Sequence, residues 1–144
     1  MTVGLVLKDK DNNVISVDPS ATVMEIAEII SARRIGAVLV LDDNGGVAGI
    51  VSERDVVKAL AKHAGEVVTL RADQLMTRNV TTATSKTTVD EAMEIMDHGY
   101  FRHLPVVNEG RLEGIISIRD LVKYRIKEHE HDVHNMKEYI ARRV

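Results

Sequence analysis

The amino-acid sequence predicts a mixed α/β (α+β) fold: two β-α-β-β-α repeats packed as a pseudo-twofold pair, followed by a C-terminal helix. Three observations carry that expectation. An internal repeat runs through the chain, the strands read as short continuous apolar runs, and the helices are marked by capping boxes and apolar stripes of helical period. Thr22-Val23-Met24-Glu25-Ile26-Ala27-Glu28-Ile29 lies over Thr88-Val89-Asp90-Glu91-Ala92-Met93-Glu94-Ile95, a shift of 66 residues. Gly49-Ile50-Val51-Ser52-Glu53-Arg54-Asp55-Val56-Val57-Lys58 lies over Gly114-Ile115-Ile116-Ser117-Ile118-Arg119-Asp120-Leu121-Val122-Lys123, a shift of 65. The one-residue difference falls between Asp42-Asp43-Asn44-Gly45-Gly46 and the shorter Asn108-Glu109-Gly110-Arg111. An insertion costs least in a surface turn.

Each element has a local cause. Val14-Ile15-Ser16-Val17 is a short strand. Thr22 then opens a helix, with Glu25 as the return partner of a capping box. Val23, Ile26, Ala27 and Ile30 form its buried stripe, and Gly36 is expected to end it. Ala37-Val38-Leu39-Val40-Leu41 is apolar throughout, as in a strand covered on both faces. Asn44-Gly45 marks a hairpin turn, and Val47 to Val51 is the return strand. Ser52 caps a second helix that runs to about His63. The second copy repeats this with Thr88 and Glu91 as the box and Val89, Ala92, Met93 and Met96 as the stripe. Its apolar strand carries Pro105, and its return strand ends near Ile116. The reading divides the chain into a first repeat at 3–64, a linker at 65–78 with a short helix around Ala72–Met76, a second repeat at 79–126 and a helical tail at 127–144. Neither repeat alone buries much surface, so the two are expected to pack together. From Leu121 to Val144 one long helix is expected. Its intermittent stripe of Leu121, Val122, Ile126, Val133, Met136 and Ile140 suits docking or dimerisation.

Composition removes several function classes. The 144 residues are 44% hydrophobic and 28% charged, as in a globular protein, with a net charge of −3. Binding to nucleic acid needs a surplus of Lys and Arg to neutralise phosphates, so none is expected. With 3% aromatic residues and no Trp, a base-stacking platform is not expected either. The absence of cysteine removes disulfides and thiolate metal sites. No apolar stretch approaches the roughly 18 residues of a membrane span, and the start of the sequence lacks a basic secretory leader. A cytoplasmic protein away from the membrane is expected. There is no Ser-His-Asp pattern and no Gly-rich phosphate loop, so catalysis is not expected.

The Gly-Ile-Val-Ser-Glu-Arg-Asp and Gly-Ile-Ile-Ser-Ile-Arg-Asp segments, Arg102-His103-Leu104-Pro105-Val106-Val107, and the order of elements resemble a tandem pair of cystathionine-β-synthase-type (CBS) domains. The resemblance runs from about Val3 to about Tyr124. It implies two clefts between the sheets that hold AMP, ADP, ATP, an NAD-type dinucleotide or S-adenosylmethionine. It also implies a homodimer and a regulatory role on an unidentified protein target in trans.

Each candidate site residue has a purely structural role open to it beside a ligand-binding one. Ser52-x-x-Asp55 and Ser117-x-x-Asp120 are helix-capping signatures that need no ligand. The same helix starts suit a phosphate or polar ligand, and a carboxylate suits paired ribose hydroxyls. The resemblance assigns ribose binding to Asp55 and Asp120. Arg102 and His103 are either a solvated charge and a half-buried imidazole or, as similar pairs in the family do, contacts to ligand phosphate. Gly36 and Ala37 stand at these positions in the first copy, so the two clefts are expected to differ. Arg54 and Arg119 are surface ion-pair formers or phosphate contacts, and many relatives have Gly where Arg119 stands. Ile15 and Thr81 match positions flanking adenine, or simply pack their strands. His129-Glu130-His131-Asp132-Val133-His134 does not suit a metal: on a helix His129 and His131 point about 200° apart. A scaffold that binds no ligand is the alternative to the regulatory module.

Overall fold

A computed structural model describes residues 1–10 and 14–143. The part of the sequence that received no element above begins the chain: helix α1 spans Val3–Lys8. Strand β1 (Ser16–Val17) and helix α2 (Val23–Arg33) follow, then β2 (Ala37–Leu41), β3 (Val47–Ser52) and α3 (Glu53–His63). A 3-10 segment at Ala64–Thr69 and the short helix α4 (Ala72–Leu75) lead into α5 (Val89–Gly99), β4 (His103–Asn108), β5 (Arg111–Ser117) and α6 (Ile118–Arg143).

The helix starts are set by their caps. Thr22 Oγ1 accepts from the Glu25 amide at 3.2 Å, and Glu25 Oε2 accepts from the Thr22 amide at 3.4 Å, closing the expected box. At α5 the Thr88 hydroxyl accepts from the Glu91 amide at 3.0 Å, but the Glu91 carboxylate takes the Thr88 hydroxyl rather than its amide. The helix ends differ from expectation. Arg34, not Gly36, adopts the left-handed conformation that terminates α2, with φ of 54°, and its amide bonds to Ile30 O. Tyr100, 66 positions on, does the same for α5 with φ of 57°.

The first sheet has order β1-β2-β3, with β1 parallel to β2 and β2 antiparallel to β3. The second is reduced to β4 and β5, and the strand expected near Thr81 is a single parallel bridge between Ala83 and Val106. Pro105 is the reason. In the first copy the Leu39 amide donates to Ile15 O at 3.2 Å. Pro105 occupies the matching position and has no N–H to give, so one rung is lost. The rungs that need no donor from it survive: the Ala83 amide donates to Pro105 O at 2.9 Å and the Val107 amide to Ala83 O at 2.8 Å.

Among the described residues two sheet cores and a smaller cluster of Val23, Ala59 and Val67 result, and the segments that complete the two sheet cores are exchanged. Val3, Val6 and Leu7 of α1 are buried with Ala83, Val89, Ala92, Met96, Leu104, Val106, Ile116 and Leu121 of the second copy. Ala72 of α4 is buried with Ile26, Val38, Val40 and Val51 of the first. The start of the chain therefore packs on the later sheet, and the linker packs on the earlier one. Helix α6 enters the second core at Leu121 and then runs on with Val122, Ile126, Val133, Met136 and Ile140 exposed. An ion pair from Arg125 to Asp90 ties it to α5. Among the described residues no helix is long and apolar enough to cross a membrane.

Candidate functional site

Both hairpins deliver their last strand into a helix start, and at each junction the protein places one half-buried carboxylate. At β3–α3, Asp55 Oδ2 accepts from the Ser52 amide at 2.8 Å and from its hydroxyl at 3.0 Å. The Asp55 amide donates back to Ser52 Oγ at 3.3 Å. At β5–α6, Asp120 Oδ2 accepts from the Ser117 amide at 2.9 Å, and the Asp120 amide donates to Ser117 Oγ at 3.1 Å. The first helical amides are also used: Glu53 N donates to Gly36 O at 3.0 Å and Ile118 N to Arg102 O at 2.9 Å. Each helix start thus commits two amides to the protein itself, which narrows what the backbone offers a phosphate.

The two copies meet where Gly36 faces His103. A Cβ on Gly36 would stand 2.8 Å from His103 Cε1 and 2.9 Å from Nε2. Gly36 is therefore a close-packing position across the repeats rather than a helix stop. Glu53 Oε1 lies beyond the same point at 3.9 Å. His103 is paired in register with Ser117, as Ala37 is with Ser52, so the imidazole stands beside the second capping box. Burial lowers the His103 pKa below the ordinary histidine value, and the Lys10 and Arg102 charges lower it further against the opposing pull of Glu53 and Asp120. At neutral pH the ring is uncharged, so it offers a neutral donor or acceptor rather than a positive charge.

Sequence reasoning missed Lys10. Its Nζ donates to Asp120 Oδ2 at 2.7 Å and to Ile115 O at 2.8 Å. The two side chains are 30% and 19% exposed. Burial by itself would raise the Asp120 pKa, but the Lys10 and Ser117 hydrogen bonds outweigh it and hold the carboxyl below its ordinary value. In the first copy the corresponding carbonyl, Ile50 O, accepts instead from the Thr77 backbone amide at 2.9 Å. The repeat alignment carries no signal for this, because Met76 stands 66 positions after Lys10 and the contact joins residues 110 apart.

The other candidates separate. Arg54 Nη1 donates to Tyr100 O at 3.2 Å, so it caps the end of α5 from across the repeat boundary. Arg102 and Arg119 are exposed, while Ile15 is half-buried against the first core and Thr81 is exposed. Glu53, adjoining Gly36 and His103, joins the set that sequence reasoning had not singled out.

A CBS-domain family model matches residues 8–62 and again 72–127. A crystal structure of a CBS-domain-containing protein from Agrobacterium tumefaciens is 43% identical, with a TM-score of 0.84, covering 87% of this chain and 99% of that one. Two solved CBS pairs carry adenine compounds. One, 26% identical with a TM-score of 0.77 over 89% of this chain and 98% of its own, was crystallised with 5′-methylthioadenosine and S-adenosyl-L-methionine. The other, CBSX2 in complex with AMP, is 25% identical with a TM-score of 0.75 over 89% and 98%. An uncharacterised 17.7 kDa protein of Acidianus ambivalens is 36% identical over 121 residues, 83% of this chain and 69% of that one. The chain spans 40% of the length of a Methanocaldococcus jannaschii relative that is 33% identical. The duplicated matches, in the two halves that carry the two capped carboxylates, decide the family: this chain belongs to the CBS-domain proteins and carries a tandem pair of the domain.

Proposed function

We propose that the chain is a regulatory module that binds an adenine nucleotide of the AMP, ADP, ATP or NAD type in the clefts between its repeats and acts on a protein target in trans. The observation that carries this reading is the duplicated carboxylate. Asp55 and Asp120 sit at equivalent helix starts, held in place by Ser52 and Ser117. A carboxylate in that setting accepts both ribose hydroxyls, each such charged hydrogen bond being worth roughly 1.5 to 3 kcal/mol. Arg102, Arg119 and His103 supply donors for phosphate nearby, and Ile15 and Thr81 flank the base. The adenine ligands of related CBS pairs support the class of ligand. In this reading the chain regulates and does not catalyse. The exposed stripe of α6 serves a cytoplasmic homodimer or the target, which the mass from light scattering would distinguish.

Thermal unfolding with AMP, ADP, ATP, NAD and S-adenosylmethionine tests the reading, with Asp55→Asn and Asp120→Asn alongside. Asn keeps the capping acceptor and removes the charge. At a hundredfold excess over Kd a ligand should add about 2.7 kcal/mol, a rise of several degrees. The rise should shrink in at least one variant. Unchanged melting with every ligand would reject the proposal and leave a scaffold without a ligand.

A further inference from the structure

Asp120 has a partner that Asp55 lacks among the described residues: a cation from a distant part of the chain already holds it. We infer that Lys10 sets the ligand class of the second cleft, admitting nucleotides that carry phosphate and disfavouring uncharged nucleosides. This rests on the nucleotide reading above and adds a selectivity to one of its two clefts.

Lys10 Nζ spends one hydrogen bond on Asp120 Oδ2 and another on Ile115 O, with both side chains half-buried. A ribose that takes Asp120 must share or displace that ammonium. An uncharged nucleoside gives the ammonium nothing in return, and a displaced half-buried charge without a partner is costly. A phosphate offers it an oxyanion, so the exchange replaces one charged hydrogen bond with another. His103 is paired in register with Ser117, whose amide donates to the same Asp120 oxygen that Lys10 holds, so the imidazole and the ammonium belong to one cluster. The first cleft has a different arrangement. There the Ile50 carbonyl is satisfied by a backbone amide, and among the described residues the contacts to the Asp55 carboxylate come from Ser52. Among the described residues the side-chain cation thus stands at the second carboxylate and not at the first.

The test uses the Asp55→Asn background, which removes the first cleft's carboxylate charge and leaves the second intact, and compares AMP with adenosine by calorimetry. In Lys10→Gln the AMP-to-adenosine affinity ratio should fall by about tenfold, the worth of one charged hydrogen bond. Adenosine binding should strengthen and AMP binding weaken. Lys10→Arg should keep the parental ratio. An unchanged ratio in Lys10→Gln, with both ligands still bound, overturns the role of Lys10 and leaves the nucleotide reading intact. Failure of both ligands to bind any of these proteins, where Asp120 is intact, overturns nucleotide binding at the second cleft and the inference with it. A parallel carboxyl titration of Asp120 by NMR reports on the pair without any ligand. Its pKa should move up toward the ordinary aspartate value in Lys10→Gln, and a pKa that does not move shows that the pair does not hold the carboxylate.

Discussion

His103 is the residue whose surroundings most sharply set its chemistry. Its lowered pKa means that the unfolded chain binds a proton more readily than the folded one. Stability from this group is therefore complete above the ordinary histidine value and is lost as pH falls below that value through the lowered one. Asp120 follows the same sign in a more acidic window, complete above the ordinary aspartate value and lost as pH falls below it. Between roughly pH 7 and pH 5 the melting temperature should fall, and His103→Gln should flatten that fall. Parallel pH profiles for parent and variant would show that the imidazole is not buried as described. Arg102-His103 was legible in the sequence as a place where the copies differ. What the sequence did not show is why the first copy has glycine at the position before its strand. The partner of Gly36 is an imidazole 67 positions away in the chain, and only the packing of one repeat on the other reveals it.

At the scale of elements, those announced by local chemistry were the most legible. The capped helix starts at Thr22, Ser52 and Thr88 and the two hairpins stand where the sequence puts them. Pairing that depends on donors in another segment was not visible, and the missing strand of the second sheet is the clearest case. Pro105→Val should restore the absent N–H and extend the bridge at Ala83 toward Thr81. Its net effect should stay within about 1 kcal/mol, because one hydrogen bond gained is offset by the extra freedom of the unfolded chain. The decisive reading is amide exchange at position 105. Protection comparable with Val106 is expected, and free exchange would show that the proline was not what broke the ladder. Helix α1 received no element from the sequence although Val3, Val6 and Leu7 recur at helical spacing. Six residues are too few for a pattern to declare itself, and the helix depends on the tertiary surface that it covers.

At the scale of the molecule, the exchange of α1 and α4 between the cores makes each half depend on a segment from elsewhere in the chain. Leu7→Ala should cost roughly 2 to 5 kcal/mol, with the exact value set by how far the second core can relax around the gap. Hydrogen exchange should report that loss first in α5, β4 and β5, with β2 and β3 retaining more protection. Equal loosening of both sheets would show that the cores are one cooperative unit. The same exchange bears on how the protein is made. Helix α1 leaves the ribosome well before Leu104, Ile116 and Leu121, against which it is buried. At synthesis rates of about 5 to 20 residues per second, Val3, Val6 and Leu7 wait on the order of 5 to 20 seconds for a surface to cover them. During that interval the nascent chain carries an apolar segment without its native partner, a target for chaperones or for α1 of a neighbouring nascent chain, whose own second half could then close on the wrong copy.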